Sequence, residues 1–379
     1  MRKYIHERPA ERGSDRMTGG RQKISRPTPP RSFSGAHDRA PAVPPGRTSG
    51  REGRVNLLLP GVHGGSMAEA EETRAPGYLH LSRTGELEKR AEQAHEMLRD
   101  CVVCPQECHV NRIEGEEGLC RTGLLPRVSS YSPHFGEEAP LVGMYGSGTI
   151  FFAGCNMRCE FCQNYTISQC GAGTAIACED LAEIMLRLQE RRCHNINLVS
   201  PSHVVPQILR AVAIAADRGL TLPLVYNSGG YDAVETLRLL DGVIDIYMPD
   251  AKYGRDDVAW ELSHAAGYTS RMQPALKEMH RQVGDLVVGA DGVAVRGMII
   301  RHLVLPGNLA DTEIVTTFIA DEISRDTYVN VMAQYHPAWR AAEGGRSPVL
   351  AALQRPITAR EYEYALRCAR ENGLSRGFP

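Results

Sequence analysis

The sequence Gly154-Cys155-Asn156-Met157-Arg158-Cys159-Glu160-Phe161-Cys162-Gln163-Asn164 carries three cysteines at Cys-x₃-Cys-x₂-Cys spacing. It follows residues 149–153, a β-branched and aromatic run that predicts a buried strand. The cysteines therefore lie on a loop at the C-terminal end of a strand, where strand–helix barrels carry their chemistry. Three thiolates can hold three irons of a [4Fe–4S] cluster, which normally takes four cysteines, and leave one iron open. The alternatives are a zinc knuckle and a chance cluster of thiols.

Strand and helix patterns alternate after this loop. Capping boxes are predicted at Asp180/Glu183 and at Thr358/Glu361, and a hairpin about Asp291-Gly292. Six strand–helix units imply a parallel sheet and predict an α/β fold, a partial (β/α)₆ TIM-like barrel with an N-terminal cysteine-rich extension. The predicted strands cover residues 149–153, 195–199, 223–226, 243–248, 298–305 and 328–332.

Residues 1–66 differ in composition from the rest of the chain. They carry 13 Lys and Arg against 5 Asp and Glu, with 8 Pro and 10 Gly, which predicts a disordered basic tail. A nucleic-acid arm and a transit peptide are alternatives, but we favour untranslated sequence ahead of a start at Met67. The remaining residues carry 30 Lys and Arg against 40 Asp and Glu, so nucleic acid is not expected as the main partner.

A second cysteine group precedes the first. Cys101-x₂-Cys104-x₃-Cys108-x₁₁-Cys120 follows an amphipathic helix predicted over residues 85–99. Four thiols at this spacing can bind zinc or a second iron–sulfur cluster, and unliganded cysteines are the alternative. We therefore expect a tail at 1–66, a helix and cysteine-rich metal-binding element at 67–145, and a core at 146–379.

Cysteine usage also indicates the compartment. Eleven cysteines without a signal-peptide pattern suggest a reducing cytoplasm, with thiols used for metal. No apolar run approaches the ~18 residues that a membrane span needs.

The motif Cys155-x₃-Cys159-x₂-Cys162, with Phe161 before the third cysteine, resembles that of the radical S-adenosylmethionine (radical SAM) superfamily. The resemblance implies a (β/α)₆ partial barrel whose [4Fe–4S] cluster and SAM generate a 5′-deoxyadenosyl radical. That radical removes hydrogen from a substrate. An electron donor such as flavodoxin or ferredoxin is implied as a partner. The run from Cys104-Pro to Gly-Leu-Cys120-Arg also resembles the PflX-type group, which is related to the pyruvate formate-lyase activating enzyme.

The resemblance implies SAM-binding residues at two strand ends. Where most of the superfamily has Gly-Gly-Glu-Pro, this chain has Ser200-Pro-Ser202-His203, so Ser200, Ser202 or His203 is expected to replace the glutamate. The alternative role for Ser202 is a cap of the next helix. Asn227 precedes Ser-Gly-Gly-Tyr, whose glycines allow close approach to a ligand or form a simple turn.

Three later strand ends resemble those of activating enzymes. Asp250-x-Lys252 resembles their SAM-binding Asp-x-Lys, with a surface ion pair as the alternative. Arg301 precedes a Val-Leu-Pro-Gly run, and a guanidinium suits the SAM carboxylate. His336 follows Tyr335 as in their Tyr-His, and is assigned to SAM by resemblance alone.

Two functional classes follow from these patterns. The favoured one is a radical SAM enzyme acting on an unknown substrate, either a protein, as an activating enzyme does, or a small molecule. The other is a metal-binding scaffold that has lost SAM chemistry, which the missing glutamate favours.

Overall fold

The computed structural model describes residues 75–344 and 347–379. The tail predicted over residues 1–66 lies outside the described residues. The helices are α1 (Tyr78–Arg83), α2 (Glu86–Glu96), α3 (Ala139–Val142), α4 (Tyr165–Ser168), α5 (Cys178–Glu190), α6 (Val205–Asp217), α7 (Val234–Leu239), α8 (Asp256–Ser263), α9 (Tyr268–Val283), α10 (Thr312–Phe318), α11 (Arg340–Glu343), α12 (Pro348–Ala352) and α13 (Ala359–Glu371). The strands are β1 (Arg127–His134), β2 (Ser147–Phe152), β3 (Thr174–Ala175), β4 (Ile196–Val199), β5 (Leu224–Ser228), β6 (Ile246–Pro249), β7 (Val287–Val288), β8 (Ala294–Leu303) and β9 (Tyr328–Met332).

Six of these strands form one parallel run, in the order β2-β4-β5-β6-β8-β9. They are the six strands predicted from the sequence. The edge strand β1 pairs antiparallel with β2, and β7 pairs antiparallel with β8 as the predicted hairpin. Within the described residues β9 pairs only with β8 among the strands, so the sheet is open and mixed.

The strand register places one row of side chains on a common face, because neighbours in a parallel ladder point the same way. Earlier along the strands this face is apolar, with Val225, Met248 and Ile299 packed in a cluster with Leu141 of α3. Towards the C-terminal ends the same face becomes polar, at Asn227, Asp250, Arg301 and Asn330. The apolar layer therefore supports a polar layer above it.

The two predicted capping boxes have different outcomes. Thr358 and Glu361 cap α13 as predicted, with Glu361 N donating to Thr358 Oγ1 at 3.2 Å. The prediction of a capping box at Asp180/Glu183 is wrong, because α5 begins earlier, at Cys178. Asp180 lies in its first turn, and its carboxylate accepts from Ala177 N at 3.3 Å. In the described residues no helix has both the length and the apolar character for a membrane span.

Candidate functional site

An open cavity of about 650 Å³ lies at the C-terminal ends of the parallel strands. One wall carries the three thiols of the Cys-x₃-Cys-x₂-Cys loop. Strand ends and the segment that follows β1 form other parts of the lining. The main residues of these walls are Cys155, Met157, Cys159, Cys162, Ser168, Ser200, Asn227, Gly229, Glu137, Glu138, Asp250, Lys252, Arg301 and Asn330.

The cysteine loop is held by close backbone packing and by hydroxyl groups. Gly154 begins it with a φ of 84°, and a Cβ there would lie 2.4 Å from the carbonyl oxygen of Cys120. Ser263 Oγ donates to Cys159 Sγ at 3.0 Å, and Ser168 Oγ lies 3.1 Å from Cys162 Sγ. The sulfur atoms are therefore fixed by contacts from other segments.

Two of the three thiols, those of Cys155 and Cys159, have raised pKa values in the metal-free protein. Burial, followed by the smaller effect of the neighbouring Cys159, raises the pKa of Cys155 to about 12. Burial also raises the pKa of Cys159, to about 11, against the opposing effect of the Lys252 ammonium. Because metal ligation requires thiolates, a metal must displace these protons on binding.

Asp250 and Lys252 form an ion pair inside the cavity. Their side chains are only 19% and 18% exposed, so this is not the surface pair considered as the alternative. Burial disfavours the charged Lys252, but the neighbouring Asp250 carboxylate outweighs it, so its pKa is raised and the ammonium stays charged. The cavity therefore holds a fixed cation beside the cysteine wall.

Arg301 also lines the cavity, but its donors are engaged. Nε and Nη2 bind both carboxylate oxygens of Glu138 at 2.6 and 2.7 Å, and Nη2 also binds Glu137 at 2.5 Å. Nη1 donates to Asn227 Oδ1 at 3.3 Å. The guanidinium predicted to meet a ligand carboxylate is thus paired with two carboxylates of the protein.

The predicted residues after β4 separate in the structure. Ser200 lines the cavity, whereas Ser202 and His203 do not. Ser202 is buried and hydrogen-bonds Asp232. His203 Nε2 lies 3.1 Å from Ala153 O, and burial lowers the pKa of this histidine to about 4. These two side chains therefore lie outside the cavity of the three-cysteine loop, and His203 instead lines the small space at the second cysteine group.

His336 lies outside the cavity lining, at an exposed position next to it. Its Nδ1 is 3.3 Å from Gln163 Nε2 on the cysteine loop. Glu137 and Glu138 are the residues that the sequence reasoning missed. They follow β1, which was not predicted, and no local pattern links them to Arg301.

The second cysteine group surrounds a small enclosed space of about 10 Å³ that Cys101, Cys104, Cys108 and Cys120 all line. The buried Arg112 ties this element to the core, because its Nη1 donates to His203 O at 2.8 Å. Gln106 Nε2 donates to Asn156 O at 2.8 Å. The element is thus bonded directly to the cysteine loop of the cavity.

No group of three or more His, Cys, Asp or Glu side chains among the described residues converges to hold a single metal ion. An iron–sulfur cluster has a weaker requirement, since each thiolate binds its own iron. Three thiols on one wall of an open cavity fit such a cluster. At the second group a single ion would require the four thiols to close in, and that metal site stays a prediction.

Comparison with known proteins gives a family match. The sequence profile of the radical SAM superfamily matches residues 149–294, which include the three-cysteine loop. An uncharacterised protein of Methanocaldococcus jannaschii is 33% identical over 299 residues, covering 76% of this chain and 79% of that protein. A second uncharacterised protein of this organism is 23% identical over 273 residues, covering 66% and 74%.

Among solved structures, a radical SAM methyltransferase from Sphaerobacter thermophilus aligns with a TM-score of 0.43 at 14% identity. The alignment covers 61% of this chain and 65% of that one.

Proposed function

Because the chain belongs to the radical SAM superfamily, we propose that it binds a [4Fe–4S] cluster through Cys155, Cys159 and Cys162 and cleaves SAM reductively. Such a cluster, once bound and reduced, would supply one electron to cleave the sulfonium of SAM into methionine and a 5′-deoxyadenosyl radical, which would take hydrogen from a substrate. The observation that carries the proposal is the convergence of three thiols and the Asp250–Lys252 pair on one cavity. Its volume of about 650 Å³ is ordinary for a small-molecule site.

The protein's own side chains supply position and charge. Lys252 is the cation we assign to the carboxylate of SAM, since its ammonium borders the cysteine wall. Arg301 is assigned a supporting role, because Glu137 and Glu138 already take its donors. Ser200 and Asn227 remain the cavity residues that could take the place of the missing glutamate.

The finer parts of the proposal rest on the fold and on motif resemblance. The open run of six parallel strands supports a partial (β/α)₆ barrel over residues 146–379. The cysteine element within 67–145 is proposed to bind zinc or a second cluster. An activating-enzyme-like role, of the PflX type, would use flavodoxin or ferredoxin as the electron donor. All eleven cysteines lie in the described residues and none forms a disulfide, which supports a cytoplasmic location.

The test begins with anaerobic reconstitution of the full chain. We expect a [4Fe–4S] spectrum that changes when SAM is added, and 5′-deoxyadenosine after dithionite is supplied. Replacing Cys155, Cys159 and Cys162 by Ala should abolish the response to SAM and the release of 5′-deoxyadenosine. Cys170→Ala is the matched control, because this cysteine is exposed and lies outside both groups. Intact iron content and SAM response in the triple variant would reject the site.

The same variants separate the remaining alternatives. Metal analysis of the triple variant should find zinc or iron, bound at Cys101, Cys104, Cys108 and Cys120. If neither metal is found, these four cysteines are free thiols. A reduced cluster that binds SAM without releasing 5′-deoxyadenosine would support the scaffold alternative.

A further inference from the structure

The backbone at Asp250-Ala251-Lys252, just after β6, is fixed by other segments. Asp250 N donates to Ser228 O at 2.9 Å, and Ala251 N donates to Arg301 O at 2.8 Å. These two bonds continue the sheet ladder on either side. The remaining backbone groups of this segment lie beyond the ladder; they are Lys252 N and the carbonyl oxygens of Asp250 and Ala251. Two buried side chains bind them instead.

Tyr268 of α9 is the first of these side chains, and it is fully buried. Its hydroxyl accepts from Lys252 N at 3.0 Å. The same hydroxyl lies 3.0 Å from the carbonyl oxygens of both Gly229 and Asp250, to which its single proton can be donated. One phenol thus joins the loop after β5 to the segment that carries Asp250 and Lys252.

The loop after β5 packs closely against the backbone of Asp250. Gly230 has a φ of 73°, and a Cβ there would lie 2.1 Å from Asp250 O. Only glycine permits both this backbone conformation and this approach. The carbonyl of Asp250 is therefore enclosed by Gly230 and the Tyr268 hydroxyl.

His302 is the second side chain, on the other flank of the run, and it is also fully buried. Its Nδ1 lies 2.7 Å from Ala251 O, which can only accept, so Nδ1 carries the proton. Nε2 then accepts from Thr312 Oγ1 at 2.9 Å. Burial lowers the pKa of His302 and keeps it neutral, which this pair of bonds requires.

We propose that Tyr268 and His302 are positioning residues that fix the backbone of Asp250 and Lys252, and thereby hold the Lys252 ammonium at the cysteine wall for SAM. A lysine side chain is long and flexible, so its charge is well placed only if both its backbone and its ammonium are anchored. Asp250 anchors the ammonium, and Tyr268 with His302 anchors the backbone. The inference rests on the proposed function, since it assumes that Lys252 binds SAM.

The first experiment is a SAM titration of reconstituted Tyr268→Phe protein, followed by the change in the cluster spectrum. We expect affinity for SAM to fall about tenfold, the equivalent of one lost hydrogen bond, with iron content unchanged. The matched control is Tyr247→Phe. Tyr247 is also fully buried, and its hydroxyl binds Gln282 Oε1 at 2.7 Å, away from the cavity. Equal loss of affinity in both variants would overturn the proposal.

A double-mutant cycle shows whether Tyr268 acts through Lys252. In a Lys252→Met background, Tyr268→Phe should change SAM affinity very little, because the group that it positions is gone. The same tenfold loss in that background would overturn the proposal. If the parent protein with a full cluster fails to respond to SAM, the proposed function is rejected instead.

His302 has its own conservative test. His302→Gln keeps a side-chain donor for Ala251 O, whereas His302→Leu does not. We expect the glutamine variant to retain more SAM affinity than the leucine variant, after both are shown to fold by thermal unfolding. Equal affinities would remove His302 from the proposal.

Discussion

Arg301 and Glu138 form a bidentate ion pair, with Nε–Oε1 and Nη2–Oε2 distances of 2.6 and 2.7 Å. The Glu138 side chain is 3% exposed, and Asn330 Nδ2 adds a bond to its Oε1 at 2.8 Å. Burial acts to raise the pKa of Glu138, but the bonds from Arg301 outweigh it, so the pKa is lowered and the carboxylate is ionised. This pair joins the segment after β1 to the end of β8.

Glu138→Gln should destabilise the protein by about 3 kcal/mol, because it leaves the buried Arg301 without its bidentate partner. The measurement is chemical denaturation of the apoprotein. Glu183→Gln is the control, since Glu183 pairs with Arg187 on the surface and both side chains are about half exposed. It should leave the free energy of unfolding nearly unchanged. Equal effects of the two changes would show that burial does not strengthen the Arg301 pair.

The six parallel strands could be predicted because they are short apolar runs that alternate with helical patterns. The edge strand β1 could not be predicted from the sequence. Its sequence, Arg-Val-Ser-Ser-Tyr-Ser-Pro-His, is mostly polar and contains Pro133, and it becomes a strand by pairing with β2. Glu137 and Glu138 depend on that strand for their position, so their role could not be read from local sequence.

The residues after β4 show a second limit of prediction from the sequence. The sequence places Ser200, Ser202 and His203 together at a strand end, but side-chain direction depends on the backbone. Ser200 has a φ of 58°, a left-handed conformation that turns the chain there. Ser200 faces the cavity, while Ser202 is buried beside Asp232. No propensity rule predicts a left-handed serine, so the separation could not be foreseen.

Gly154→Ala should prevent assembly of the cluster at the three-cysteine loop. The left-handed backbone costs a non-glycine residue ~1–2 kcal/mol, and the new Cβ would meet Cys120 O at 2.4 Å. Iron content after reconstitution is the measurement. Gly123→Ala is the control, because a Cβ at Gly123 meets nothing within 4 Å. Full iron loading of Gly154→Ala would show that the loop can move away from Cys120 without losing its metal.

Ser263→Ala should make the proposed cluster harder to reduce. The hydroxyl donates to Cys159 Sγ at 3.0 Å, and hydrogen bonds to cluster sulfurs help to set the reduction potential. Loss of one hydrogen bond of ordinary strength should lower the midpoint potential of the cluster by about 50 mV. The measurement is a redox titration followed by electron paramagnetic resonance. Ser270→Ala is the control, since Ser270 is exposed and its Oγ donates to Gly267 O just before α9. An unchanged potential in Ser263→Ala would exclude this hydroxyl from tuning the cluster.

Glu361→Gln should destabilise α13 in a pH-dependent way. Arg355, followed by weaker contributions from Gly307 N and Thr358 N, lowers the pKa of Glu361 below its usual range. A carboxyl whose pKa is depressed on folding adds stability above its unfolded pKa, and this is lost as pH falls through the folded pKa. Thermal unfolding should therefore show a loss of about 1 kcal/mol at pH 7, typical of a broken cap, that shrinks steadily below about pH 4. Glu363→Gln, on the exposed side of the same helix, should show no such dependence. A loss of equal size at pH 7 and pH 3 would mean that Glu361 acts through packing and not through its charge.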